Sequence, residues 1–270
     1  SNGFLAGWYG VQSTSDGGQT WDNSPSFEWT NWRDTHFLNN QIGWVVGRDN
    51  AYIGQVLRTR DGGQTWEVQR RNSSEALNAV HFADEQHGWV VGDGGKILSS
   101  EDGGSTWRNQ TANTDFYLAD VDFVDSQYGW VVGSHYSDSG DGRIWRTTDG
   151  GAHWMESAYF PGNGDKTGKY GIDIVNRTLG YAVGKATATR GSIHKTTNGG
   201  NSWTSVLSGN YATLRGIDCI DANTCWAVGG RGTILRTVNG GTSWDLQATG
   251  TSTDLMAVDF LDRQKGYAVG

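Results

Sequence analysis

The chain has 270 residues, among them 41 glycines and 14 tryptophans but only 2 prolines. Its net charge of −8 argues against a nucleic-acid partner, whose phosphates are held by Lys and Arg, and against adsorption to anionic lipid. No apolar run approaches the ~20 residues of a membrane helix, and the opening SNGFLAGWYG lacks the charged and apolar regions of a signal peptide, so an exported protein would be seen here in its mature form or as a fragment.

In chain order, GFLAG at 3–7 is the first strand-like piece, and SDGGQTW at 15–21 follows it. The second motif returns as RDGGQTW at 60–66, EDGGSTW at 101–107, TDGGAHW at 148–154, TNGGNSW at 197–203 and VNGGTSW at 238–244. Its tryptophans, Trp21, Trp66, Trp107, Trp154, Trp203 and Trp244, are spaced by 41–49 residues, the length of one four-stranded propeller blade. Ahead of five of these turns lies GWVVG at 43–47, 88–92 and 129–133, GYAVG at 180–184 or CWAVG at 225–229, and a further GYAVG ends the chain at 266–270. A third motif runs ahead of the second: AVHF at 79–82, DVDF at 120–123, GIDI at 171–174, GIDC at 216–219 and AVDF at 257–260.

One repeat therefore reads as four strands. Strand A is the AVDF-like piece and strand B is GWVVG. Strand C is the ILRT-like piece, and strand D starts at the turn tryptophan. Each is short, apolar, β-branched or aromatic, and bounded by Gly, Asp or Asn. The expected fold is all-β: a single propeller domain over residues 1–270, with six blades of four antiparallel strands and the glycine-pair turn between strands C and D. Its ring would be closed by the N- and C-terminal strands. GFLAG resists that count, since it also reads as a strand B. It is either a loop, or part of a seventh blade in a longer chain.

In the turn, Asp16, Asp61, Asp102 and Asp149, replaced by Asn198 and Asn239, can accept main-chain N–H bonds. The paired glycines supply positive φ, and the tryptophan buries a large surface. An amide serves as a turn acceptor but not as a general base, so the substitution by Asn fits an architectural role. Cys219 and Cys225 flank the turn of an A–B hairpin, where facing residues are close enough for a disulfide. An exported protein would form it; two buried free thiols are the alternative. CIDANTC lacks metal-ligand spacing.

The turn motif resembles the Asp box, or bacterial neuraminidase repeat, found in sialidases, sortilin-type receptors and xyloglucanase-type glycosidases. The succession of GWVVG, a short strand and TxDGGxTW resembles the photosystem II stability/assembly factor family and its bacterial relatives, over nearly all the chain. The resemblance implies a propeller without catalytic activity that binds or scaffolds a protein partner, one that can be membrane-associated. It also implies a lumenal, periplasmic, cell-surface or secreted location, and in photosynthetic members a basic surface patch.

Enzyme chemistry finds little support. A sialidase needs an arginine cluster with a Tyr and a Glu and carries an Arg-Ile-Pro segment, yet neither Pro25 nor Pro161 lies in one. A glycosidase needs two carboxylates at ~5–10 Å. Asp122, Asp173, Asp218 and Asp259 share one repeat position with His81, and Asp34 and Asp120 lie beside it, which marks blade-building residues. The six histidines, His36, His81, His87, His135, His153 and His194, are scattered. The loop SDSGDG at 137–142 lacks a full calcium-loop pattern. No metal and no cofactor are expected.

The remaining candidates are in loops, where propellers bind. Residues 23–34 carry Trp29, Trp32 and Arg33, and the long D–A loop 158–170 carries Tyr159, Lys169 and Tyr170. The B–C insertions add Arg48 and Lys185, and Arg215 shares its repeat position with Arg33. Aromatics with Arg are typical of protein-interface hot spots. The same aromatics would stack on sugars, so a glycan ligand, or a sialidase- or glycosidase-like activity, is the alternative expectation.

Overall fold

The structure, a computed structural model, describes residues 3–7, 10–23, 30–49, 51, 53–72, 76–135, 140–162, 167–207 and 209–270. Two units are distinguished, Ser1–Ser126 and Gln127–Gly270. The fold is all-β, that of a six-blade propeller with four antiparallel strands per blade. Among the described residues the only helical elements are two 3-10 turns, Asp93–Gly95 and Gly230–Gly232.

The first unit opens with a three-stranded sheet, β1 (Gly3–Gly7), β2 (Gly10–Thr14) and β3 (Asp22–Asn23). The GFLAG segment is thus a strand and not a loop, paired with β2 from Gly3↔Thr14 to Gly7↔Gly10. A complete blade follows: β4 (Thr30–Phe37), β5 (Gly43–Asp49), β6 (Gly54–Thr59) and β7 (Glu67–Asn72). The next is β8 (Leu77–Phe82), β9 (Gly88–Gly92), β10 (Lys96–Ser100) and β11 (Arg108–Thr111). β12 (Tyr117–Phe123) begins another repeat.

The second unit holds that repeat's β13 (Gly129–Ser134), β14 (Gly142–Thr147) and β15 (Met155–Phe160). Two complete blades come next, β16 (Lys169–Asp173) to β19 (Thr204–Ser205), with β17 (Gly180–Lys185) and β18 (Gly191–Thr196) between them, and β20 (Leu214–Cys219) to β23 (Asp245–Gln247), with β21 (Cys225–Gly229) and β22 (Thr233–Thr237). The unit ends on a two-stranded sheet, β24 (Ala257–Phe260) and β25 (Gly266–Val269). Cys219 and Cys225 pair across the β20–β21 hairpin and are joined by a disulfide.

The recurring residues interlock neighbouring sheets. The aromatic residues Trp44, Trp89, Trp130, Tyr181 and Trp226 of the GWVVG-like strands are buried, and three of them stack on the Phe that ends the next strand A. Centroid separations are 3.5 Å for Trp44 on Phe82, 3.5 Å for Trp89 on Phe123 and 3.6 Å for Trp226 on Phe260. Such pairs add about 0.5–1.5 kcal/mol beyond the area they bury. The same Phe ring explains the first glycine of GWVVG: a Cβ on Gly88 would lie 2.3 Å from the Phe82 ring.

The turns between strands C and D share one hydrogen-bond scheme. In the turn at 59–66, Thr59 Oγ1 donates to Asp61 Oδ1 at 2.8 Å and accepts from Gly63 N at 2.8 Å, while Thr65 N donates to Asp61 Oδ1 at 2.9 Å. Gly62 and Gly63 have φ of 71° and 81°, conformations that L side chains rarely adopt. Where Asn replaces Asp, the amide reverses one bond: Asn198 Nδ2 donates to Ser202 Oγ at 2.9 Å. In the Asp turns the hydroxyl is the donor, as in Thr20 Oγ1 to Asp16 Oδ2 at 2.6 Å. These bonds hold the carboxyls of Asp16, Asp61, Asp102 and Asp149 below the usual range. A cation on strand C then reaches the next turn: Arg58 Nη1 to Gly103 O at 3.0 Å, Arg146 Nη1 to Gly199 O at 2.7 Å, and Lys195 Nζ to Gly240 O at 2.7 Å.

The strand A carboxylates are also joints between blades. Asp34 Oδ2 accepts from Val80 N at 2.9 Å, Asp173 Oδ2 from Cys219 N at 2.7 Å, and Asp218 Oδ2 from Phe260 N at 2.8 Å. Removing such an acceptor strands a main-chain donor, which costs about 1–3 kcal/mol. Asp218→Ala is therefore expected to lower the urea midpoint by that equivalent, and Asp218→Asn, which keeps an acceptor, by less.

Candidate binding site

Four strand A segments carry a β-bulge at one position. The register slips between Trp32 and Asp34, Leu77 and Ala79, Lys169 and Gly171, and Leu214 and Gly216. The unpaired residue in each is Arg33, Asn78, Tyr170 or Arg215. A bulge bends the strand and re-aims the extra side chain. The residue just before it stays in the core: Trp32, Leu77, Lys169 and Leu214 are all buried. One geometry thus repeats with a variable side chain at its tip, whereas the surrounding motif residues are committed to joints.

In the first unit, Arg33 is exposed. Asn78 is closed off, because its Nδ2 donates to Asp93 Oδ1 at 2.8 Å and to Leu118 O at 2.9 Å. Arg48 is half-buried and sits opposite Asn31 in the β4–β5 register. Trp29 lies outside the described residues. Trp32 is no contact residue: it is 2% exposed and packs with Val11, Val45 and Leu57.

In the second unit, Lys185 Nζ sits 5.7 Å from the Tyr170 ring centroid, a cation–π placement. Arg215 Nη2 lies 3.4 Å from Asp254 Oδ2, and Asp254 Oδ1 accepts from Arg231 N at 2.9 Å. The Arg231 N–H first, then Arg215, hold the Asp254 carboxyl below its usual range. Tyr159 is exposed, with Arg143 4.8 Å over its ring and its hydroxyl 3.1 Å from Asp141 Oδ2.

Lys169 departs from the exposed placement expected of a loop lysine. It is fully buried, and its Nζ donates to Thr167 O at 2.9 Å, Lys185 O at 3.1 Å and Ser192 Oγ at 3.3 Å, with the Phe160 ring centroid at 4.2 Å. Asp254 and Arg231 were not legible as site residues. The one signal was Arg231 in the β21–β22 turn, at the place that Gly94 takes in the β9–β10 turn.

A half-buried row of titratable groups runs across the strands A of the first unit. The His36 and His81 rings are 4.6 Å apart, and His81 Nδ1 is 3.2 Å from Asp122 Oδ1. Burial pulls the histidines down to about 3 and about 4, and pushes Asp34 up to about 6. Between pH ~6.5 and their folded values the histidines bind fewer protons folded than unfolded, so their contribution falls as pH drops. Asp34 acts oppositely between about 4 and 6, holding a proton that the unfolded chain releases. The two histidines outweigh the one carboxyl. Stability is expected to decline from pH 6.5 to 4.5, by at most ~1.4 kcal/mol per pH unit for each net proton. His36→Asn combined with His81→Asn should flatten that slope in urea titrations.

Among the described residues no three His, Cys, Asp or Glu side chains are grouped to hold a metal, and no helix is long and apolar enough to cross a membrane.

The family model of the photosynthesis system II assembly factor YCF48 matches residues 24–109. Comparison with curated proteins finds no match. Among solved structures, YCF48 bound to a D1 peptide superposes with a TM-score of 0.72 at 18% identity, over 100% of this chain and 86% of that one. YCF48 from Cyanidioschyzon merolae gives 0.54 at 18% identity, over 89% and 93% of the two chains. An ancestral GH74 enzyme gives 0.64 at 17% identity, over 91% of this chain and 36% of that one. The chain is thus similar to YCF48 in fold along its length and in sequence over its matched segment.

Proposed function

We propose that the protein is a non-enzymatic binding propeller, like an assembly factor, that holds a protein partner through Tyr170, Lys185 and Arg215 of the second unit. The observation that carries this reading is the recurring bulge, which offers variable Arg and Tyr side chains while the repeated carboxylates are spent on blade joints. The sequence match to an assembly factor, and the fold likeness to one bound to a peptide, support it. An exported location, with a partner that can be membrane-associated, accords with the Cys219–Cys225 disulfide, since disulfides persist in oxidising compartments. A glycan ligand is the second reading; exposed Tyr159 beneath Arg143 favours it.

A labelled D1 peptide tests the first reading by fluorescence anisotropy. Saturable binding is expected, weakened about tenfold, or 1.4 kcal/mol, by Tyr170→Ala plus Arg215→Ala, and weaker at high salt. Absence of binding overturns it for this peptide class. Saturable binding on a glycan array, lost in Tyr159→Ala, would establish the second reading instead.

A further inference from the structure

We infer that Arg215 and the Arg231 main-chain N–H form a carboxylate receptor that Asp254 of the same chain fills, so that the partner's contact group is acidic and must displace Asp254. This deepens the proposed function and rests on it.

The geometry is that of a bound carboxylate. The two oxygens of Asp254 are taken by two donors from two elements: the Arg231 N–H of the β21–β22 turn at 2.9 Å, and Nη2 of Arg215, on the β20 bulge, at 3.4 Å. The corresponding place in the first unit is closed differently. There Asn78 meets Asp93 at 2.8 Å and Leu118 O at 2.9 Å, a short-bonded pair in which a neutral amide stands where Arg215 stands here.

Three features mark the Asp254 arrangement as displaceable. Its contact with Arg215 is long for a charge-assisted bond, which usually runs to ~2.7–2.9 Å. The Nε of Arg215 is buried and makes no hydrogen bond among the described residues, so Asp254 does not satisfy the guanidinium. The Asp254 side chain is 52% exposed and sits on the connection between β23 and β24, where movement disturbs no ladder.

The Arg231 backbone adds a second argument. It holds φ 58° and ψ 35°, whereas the β9–β10 turn has Gly94 at φ 64° and ψ 32°. A side chain in this left-handed region costs about 1–2 kcal/mol, so glycine is the better residue for the turn alone. The arginine there adds a second positive charge that, like Arg215, acts on Asp254. The chain carries 29 acidic against 21 basic residues, and several of its cations are spent on turn carbonyls. A local pair of arginines answered by one aspartate is therefore where an acidic ligand finds net positive charge.

Self-occupancy lowers apparent affinity by the fraction of receptor that is free, so a site that is nine-tenths filled loses about tenfold. The probe is a fluorescein-labelled octaglutamate, with octaglutamine as the neutral control, titrated by anisotropy. Asp254→Asn and Asp254→Ala are each expected to raise octaglutamate affinity about fivefold to tenfold, with octaglutamine unchanged. Arg215→Gln in the Asp254→Ala background should remove the gain. Arg231→Gly, which keeps the N–H, should preserve at least part of it. Thermal melting of each variant verifies the fold. Unchanged or weaker octaglutamate binding in both Asp254 variants, with their melting intact, overturns the inference, and Asp254 is then a turn brace only. D1-peptide binding that persists and still depends on Arg215 would leave the broader reading standing in that case. Failure of the D1 peptide with a gain for octaglutamate would sink the broader reading for that peptide and keep the receptor.

Discussion

Trp32→Ala is expected to destabilise the first unit by about 3–5 kcal/mol, the usual cost of emptying a buried aromatic site. The indole is 2% exposed, and it joins β4 to Val11 of β2 and to Val45 and Leu57 of its own blade, with Ala6 and Trp66 packed alongside. The substitution removes contacts between two sheets and leaves a void that rigid strands cannot close. Guanidinium unfolding followed by tryptophan fluorescence measures it directly. Trp32→Phe should recover part of the loss. A ligand-contacting Trp32 would behave otherwise, with stability near wild type and binding reduced. If Trp32→Ala melts normally and loses ligand, the core placement is wrong.

That contrast shows what the sequence can carry. The turn at 60–66 is legible because its bonds are local: Asp61, Gly63 and Thr65 lie within a few residues of Thr59, so their spacing encodes their geometry. The blade period is legible for the same reason. The bulge is not local. Whether Arg33 or Trp32 faces inward depends on which residue lacks a partner on β5, and two adjacent residues exchange faces when the register slips by one. Trp32 therefore looked like Trp29, a loop aromatic, although it stands where Leu77, Leu118, Leu214 and Leu255 stand in their repeats. Asp254 was hidden for a different reason: its two donors come from residues 215 and 231, and no spacing rule links the three.

Lys169 occupies that same column, and its substitution gives the second large effect. Lys169→Ala is expected to cost about 3 kcal/mol or more, through a cavity and through the loss of the donor that serves Thr167 O and Ser192 Oγ together. Lys169→Leu should cost less, because leucine fills the volume and leaves about 1–3 kcal/mol for the acceptors that lose their donor. Leucine is what four of the other five repeats place here. The two substitutions separate packing from charge. Burial pulls the ammonium down to about 7, below its unfolded range near 10.5. Between these values the folded chain binds fewer protons than the unfolded one, so wild-type stability should rise with pH from 7 toward 10. Lys169→Leu should lose that rise, and urea midpoints at pH 7, 8.5 and 10 decide it. A rise that survives in Lys169→Leu would assign the titration to another group. A Lys169→Leu variant as unstable as Lys169→Ala would show that the three acceptors, and not the filled volume, hold the 158–170 loop to its blade.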